Sequence, residues 1–507
     1  MGLTAIRPAM EFGSPREARA FEYYRSQSAP ILGNIMDSEF WGGLVMRLSI
    51  SEPIVRHAVL ALSGLHEYVS TRNLDEPPRL DPTFIFHEYG QAISSLRKWE
   101  PIEGPMVPLL TSILFTCIEF LLDHEKSAQL HIIQGRNLLC DLDHAPPSSV
   151  EMIKSELVPM YTRLGLAAFL YGGRPPSVPE HLRTFSKIPA QFKDMADARS
   201  LLYQLQDEAL RFSTEVKPKL YSGAVGDMAA LEARQQTILS ELNQWNAAFA
   251  VLTSSMRPSH AGLAVQSLLM LYYHAGIIWV STSLTPHEEA YDAHLVDFAA
   301  IISNASAILN TSHRGSNLHA FSFETELVAP VYWTVTKCRH PTLRRAALKL
   351  LLRDELRGRR ENLWNAHEAI AIGMRIIEVE EHATNLRDEI MSSTPGSDSS
   401  TSTASEYRVP IYCPPSVPIE SIQVDESETL PDGGKRLSDV EDALEILSKL
   451  NLNHVVTEAP FGVPESVRVK NVIIGPREGE GVWATMFTDP IAGEEWVVSK
   501  EYLKFIT

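Results

Sequence analysis

The sequence predicts an all-α protein, a multi-helix array of antiparallel helix pairs closed by a small C-terminal antiparallel β meander. Three observations carry that prediction. Apolar residues recur at three- and four-residue spacing almost without a break from about residue 16 to residue 383. The connections between these stretches are short and rich in Pro, Gly, Asn and Ser, as in EPIEGP at 100–105 and GGRPPSVPE at 172–180. Short connections bring consecutive helices back alongside one another. From residue 467 the apolar spacing shortens to every second residue, the period of a strand. No fixed repeat is visible, so neither a tetratricopeptide nor a HEAT array is expected.

Taken in order, the first helices fall at 16–28 and 36–48. The next, 53–70, can be capped by Ser51, tolerates Pro53 in its first turn, and buries Ile54, Val55, Ala58, Val59, Leu62, Leu65 and Val69 on one face. Its two histidines, His57 and His66, are nine residues apart. At about 100° per residue they point to opposite sides and cannot share a metal ion. The sequence HEYVS also puts Ser70 where a zinc protease needs its second histidine. Helices at 84–98, 107–122, 125–141, 151–171, 196–212 and 227–254 follow. The helix at 260–283 holds the most apolar stretch, VQSLLMLYYHAGIIWV, which is short for a membrane span and interrupted by Gln266, Ser267 and His274. A buried core helix is the expectation there, and no membrane contact. Helices at 288–311, 323–337, 342–356 and 362–384 complete the body.

The Ser/Thr-rich MSSTPGSDSSTSTASEYRVP, 391–410, has no apolar period and reads as the start of a disordered linker to about residue 436. SDVEDALEILSKLN, 438–451, reads as a short amphipathic helix with Ser438 as N-cap and Glu441 in the capping-box place. Strands are expected at 467–474, 481–488 and 494–499, punctuated by Gly475-Pro476 and Asp489-Pro490. Three short strands are marginal alone, so the meander should dock on the helical body. The expected division is a tail at 1–13, a helical domain at 14–390, a linker at 391–436, and a helix plus meander at 437–507.

The chain of 507 residues carries a net charge of −18. An acidic surface is repelled by phosphate, which excludes a nucleic-acid glove. Four scattered cysteines, Cys117, Cys140, Cys338 and Cys413, show no metal-ligand spacing and suit a reducing compartment. No cofactor and no metal are expected. The N-terminal MGLTAIRPAMEFGSPREARAF lacks the apolar core of a signal peptide. No nucleophile elbow, P-loop or strand-linked GxGxxG is present, and no His-Glu pair is followed by the second histidine of a zincin.

Two constellations remain as candidate sites. The run KCRHPTLRRAALKLLLRDELRGRR, 337–360, puts Arg344, Arg345, Lys349 and Arg353 on one helix as a basic docking stripe. The plainer reading is a solvated face paired with acids. Tyr272, Tyr273, His274, Trp279, Tyr332 and Trp333 are aromatic or polar-tipped side chains suited to lining an effector pocket. The plainer reading there is core packing with satisfied polar tips.

Several segments in this order resemble one family. They are SPREARAFEYYRSQSAPILGNIMDSEFWGGLVMRLSISEPIVRHAVLALSGLHE (14–67), LFTCIEFLLDHEKSAQLHIIQGRNLL (114–139), LVAPVYWTVTKCRHPTLRRAALKLL (327–351) and ENLWNAHEAIAI (361–372), with VPESVRVKNVII and GEEWVVSKEYL near the end. Together these stretches resemble the fungal-specific transcription factor regulatory domain, the helical region found downstream of a zinc binuclear cluster. The resemblance covers roughly 14–383 and 463–504. It implies a non-enzymatic, nuclear or nuclear and cytoplasmic regulator. Such a protein works through partners in the transcription machinery, a homodimer or a small-molecule effector. Members usually carry six zinc-binding cysteines near the N-terminus, whereas the first cysteine here is Cys117 inside a core-like helix. Smaller departures sit at Arg339-His340-Pro341 and Trp364-Asn365, where the family tends to have an acid. The expectation is a regulator without its own zinc-cluster module and without strong direct DNA binding. The alternative is the same scaffold recruited as an enzyme or binding protein for a small molecule in fungal secondary metabolism.

Overall fold

The computed structural model describes residues 13–33, 36–71, 81–100, 104–142, 145–224, 226–257, 259–312, 321–392, 407–410, 463–491 and 495–505. It is mostly helical, with an antiparallel C-terminal sheet, as the sequence predicts. The single helical domain expected over 14–390 is divided between two compact units. The first comprises Met1–Lys187, His319–Thr325 and Glu361–Leu363. The second comprises Ile188–Leu318, Glu326–Arg360 and Trp364–Thr507.

In the first unit, α1 (Pro15–Tyr23) starts where the Ser14 hydroxyl accepts the Glu17 N–H. It runs through a π-helical turn at Tyr24–Ser28, whose Ala29 N–H reaches back to the Tyr24 carbonyl, into α2 (Ala29–Gly33). A second π segment, Phe40–Val45, leads into α3 (Met46–Ser51). Next, α4 (Pro53–Thr71) packs against α5 (Pro82–Leu96) and α6 (Met106–Leu122). The last of these is apolar on nearly every side and almost wholly buried. Asp123, at φ 63°, adopts the left-handed turn that lets the chain double back into α7 (Glu125–Cys140). The helix expected at 151–171 forms as α8 (Pro147–Met152), a third π turn at Ile153–Leu157, and α9 (Val158–Leu170).

The core of this unit is one apolar cluster that includes Trp41, Leu62, Ile113, Phe120, Leu139, Tyr161 and Phe323. Two of its buried hydroxyls end on backbone, Tyr24 on the Trp41 carbonyl at 3.1 Å and Tyr161 on the Leu109 carbonyl at 2.7 Å, and Tyr89 donates to Glu119 at 2.6 Å. Gly135 is required where α7 meets that ring, because a Cβ there would lie 2.2 Å from Tyr161.

In the second unit, α10 (Met195–Tyr221) outruns the expected end at 212, because Phe212 and Val216 carry its buried face onward and Pro218 falls in its last turn. It is followed by α11 (Met228–Ser255) and α12 (His260–Ser281). The helix expected from 288 begins as a tighter 3₁₀ stretch, Glu288–His294, before α13 (Leu295–Ser312). By length and composition alone, Ala261–Ser281 and Glu288–Thr311 are apolar enough to cross a membrane, and about half of each is buried against other helices. The helix expected over 323–337 starts only at Val328, as α14 (Val328–Lys337). The one expected over 342–356 breaks at Leu352 into α15 (Pro341–Leu351) and α16 (Asp354–Arg357), because Arg353 is extended. The last helix is α17 (Ala366–Ser392), and earlier in the chain come three two-residue strands, β1 (Phe321–Ser322, in the first unit), β2 (Arg360–Glu361) and β3 (Trp364–Asn365).

The C-terminal sheet has the order β4 (Tyr407–Pro410), β7 (Glu495–Lys504), β6 (Gly481–Ile491), β5 (Asn471–Glu478), antiparallel throughout. Register is set by pairs such as Val482 with Leu503 and Phe487 with Val498. The β5–β6 pairing shifts between Ile474 and Arg477, where Pro476 has no N–H to offer the ladder. Strand β4 corrects the linker expected over 391–436. Tyr407–Pro410 pairs with Glu495–Val498, and its Tyr-Arg-Val composition suits a strand despite the Ser/Thr-rich sequence before it. The rest of that linker, the helix expected at 438–451 and Cys413 lie outside the described residues.

Candidate functional site

The six residues expected to line an effector pocket are all in the second unit and are divided among separate aromatic contacts. Tyr272 is fully buried against Tyr203, with ring centroids 5.7 Å apart. Tyr273 faces another neighbour, stacking 5.9 Å from Trp245 while its hydroxyl donates to Asn243. His274 bonds through Nδ1 to Asp297 at 2.8 Å, and His294 bonds the other oxygen of the same carboxylate at 3.1 Å. Burial would raise the Asp297 carboxyl, and the two imidazoles outweigh it and hold it low. Trp279 and Trp333 meet edge to face at 5.7 Å, with Tyr291 and Phe298 on the same indole of Trp333. Tyr332, the next residue in α14, turns away to Trp364. Tyr203, Trp245 and Trp364 therefore complete packing sites that the six residues do not form among themselves.

The basic stripe needs a correction. Arg344 is 1% exposed and Lys349 6%, so both lie inside. Arg344 donates to Glu380 at 2.5 Å and to the Val335 carbonyl at 2.8 Å. Arg345 is half-exposed and paired with Glu381 at 2.6 Å. Arg353 is engaged by Glu355 and by Asn310. The four-residue spacing of Arg345, Lys349 and Arg353 predicts a common face, but α15 ends at Leu351, and Lys349 is buried while Arg345 stays half-exposed. The four cations are therefore not presented together as an exposed docking stripe.

The polar chemistry of this unit instead gathers around two buried carboxylates. Arg339, in the link between α14 and α15, turns inward. Its Nη1 donates to Glu288 at 2.8 Å and its Nη2 to Glu380 at 3.0 Å. Lys337 donates to both oxygens of Glu288 at 2.9 Å and to the Lys470 carbonyl at 2.6 Å. Burial alone would raise the Glu288 carboxyl. The Lys337 and Arg339 cations overcome it and hold that carboxyl down at about 2. Glu380 is likewise held low against burial, by Arg339 and Arg344.

The segment before β5 is part of the same cluster. Glu380 accepts the Val469 backbone N–H at 2.8 Å. Arg468 grips Asp292 with both Nη atoms, at 3.0 and 2.7 Å, and its Nε donates to the Val463 carbonyl. The Glu465 carboxylate accepts the N–H groups of Glu288 and Glu289 at 2.8 and 2.9 Å, and the Lys470 ammonium at 3.0 Å. Beside this, Lys217 donates to the Tyr291 hydroxyl at 2.9 Å. Burial would raise that hydroxyl, and the neighbouring ammonium brings it below its usual value.

In the first unit a small cavity, of about 10 Å³, is lined by Trp41, Cys117, Met160, Arg163, Phe323 and Glu324 among others. That is room for one water, not an effector. His57 bonds Glu88 at 2.7 Å and His66 bonds Ser28 at 2.9 Å, on opposite sides of α4 as their spacing predicts. Among the described residues no three His, Cys, Asp or Glu side chains are grouped to hold a metal ion.

The residues that sequence reasoning missed are Glu288, Asp292, Glu380, Glu465 and Arg468. The one available signal was Arg339-His340-Pro341, where an arginine sits ahead of a helix-starting proline and so falls off the amphipathic face. No family model, no curated protein and no solved structure matches this chain.

Proposed function

We propose that this chain is a non-enzymatic regulator of the fungal transcription factor type. It acts in the nucleus through protein partners, a second copy of itself or a small effector. The support is the ordered series of resembling segments, together with what the charged residues of those segments do. Arg339 and Arg344, both within the 327–351 segment, are committed to Glu288 and Glu380. A carboxylate saturated by guanidinium, ammonium and backbone N–H groups holds a shape and has little proton affinity left for acid–base work. The buried carboxylates of the second unit thus support a scaffold that presents surfaces.

The test is transcriptional. The full chain, fused to a heterologous DNA-binding module in a fungal reporter strain, is expected to change reporter output several-fold and to accumulate in the nucleus when fluorescently tagged. Unchanged output together with exclusion from the nucleus would sink the proposal.

A further inference from the structure

We propose that Val463–Lys470 is a charge-keyed strap, a reversible closure that fastens the C-terminal sheet to the helices of the second unit and opens without unfolding them. The inference rests on the nature of the contacts and is independent of the transcriptional reading. Nearly everything the strap touches is polar. Glu465 sits on the Glu288 and Glu289 N–H groups, Arg468 on Asp292, the Val469 N–H on Glu380, and Lys470 on Glu465 and the Pro286 carbonyl. Its fully buried apolar side chains are Val463 and Val469, and Pro464 and Val467 are half-buried. The sheet beyond it buries Val482, Ala484, Met486, Phe487 and Val498, the last two in a small cluster with Tyr221 and Ile473. Ion pairs also tie it to α17, Glu501 to Arg375 and Arg477 to Glu368.

Such an interface has a particular energetic signature. A complete buried ion pair is close to break-even against water, because the charges regain their hydration when it opens, whereas a pair missing one member leaves a charge stranded. Releasing the strap's ion pairs together is therefore inexpensive, while damaging one of them is not. Apolar closure would show the opposite balance, with each contact contributing in proportion to its area. The groove is also selective. It accepts a carboxylate, then a guanidinium three residues later, then an ammonium two residues after that, which is the pattern Glu465, Arg468, Lys470 of this chain's own segment.

Hydrogen exchange of the intact chain, followed by mass spectrometry, tests this. In the wild type, amides of 463–491 and 495–504 are expected to exchange together, and faster than those of α14, α15 and α17. Arg468→Leu, which strands Asp292, is expected to speed that exchange by about 100-fold while leaving the helices unchanged. Arg468→Leu combined with Asp292→Leu removes both charges and is expected to return exchange to within about 10-fold of wild type. Exchange of strap and helices at one common rate, in the wild type or in Arg468→Leu, would overturn the proposal. So would a double variant no better protected than the single one.

Discussion

The two units bury charge in different ways. In the first, a continuous apolar cluster carries the packing, and its buried arginines end on backbone carbonyls or on partly exposed carboxylates. Arg136 donates to the carbonyls of Tyr161 and Pro176, and Arg163 reaches Asp37 and Glu324. In the second, carboxylates and guanidinium groups meet at the centre of the packing, with Glu380 and Arg339 both fully buried. A backbone carbonyl is an acceptor that any sequence supplies, so the Arg136 arrangement tolerates change around it. A buried carboxylate between two arginines needs all three residues at once, so the second is specific and brittle.

The comparison is sharpened most by Glu380→Ala. It strands Arg339, Arg344 and the Val469 N–H, and is expected to lower the stability of the second unit by about 3–5 kcal/mol, read from denaturant midpoints. A loss below about 1 kcal/mol would erase the distinction between the units. Acid should separate them next. The folded values of Glu288 and Glu380 lie below the ordinary carboxylate value, so their contribution is present above that value and is lost as pH falls through the folded one. For Glu288 this places the loss between pH 4.5 and about 2. Hydrogen exchange across that range should show the second unit losing protection before the first, and the reverse order would break the comparison.

A smaller effect belongs to the first unit. Gly135→Ala forces a methyl into Tyr161 and should cost about 1–3 kcal/mol there, with the acid sensitivity of the second unit unaltered. Thermal melts at neutral and acid pH check both halves of that statement. Arg345→Ala comes last. Its pair with Glu381 is half-exposed, so a change of no more than about 1 kcal/mol is expected in the same melts.

The helices were legible because each announces itself locally. Ile54 to Val69 in α4 repeat a spacing that needs no knowledge of the partner helix. The three strands 471–478, 481–491 and 495–504 were legible for the same reason, and their docking followed from the marginal stability of a lone meander. What stayed hidden was pairing across distance. Glu380 lies 41 residues from Arg339 and 89 from Val469. Nothing in the neighbourhood of any of these three marks the other two. Helical spacing also misled at Arg344 and Lys349, because it says which residues share a face and not whether that face meets water.

The three π turns of the first unit carry a consequence for descent. Each closes a hydrogen bond over five residues, as from Ala29 to Tyr24 and from Val158 to Ile153, where an α-helix would use four. The surplus residue advances the helix by about 100°, so the side chains on either side of the turn belong to different phases of one wheel. A related chain lacking one residue at 24–28 or 153–157 would keep the fold by relaxing the bulge into plain α-helix. Gaps of one position are therefore expected at these turns when relatives are aligned, inside helices where insertions are otherwise rare.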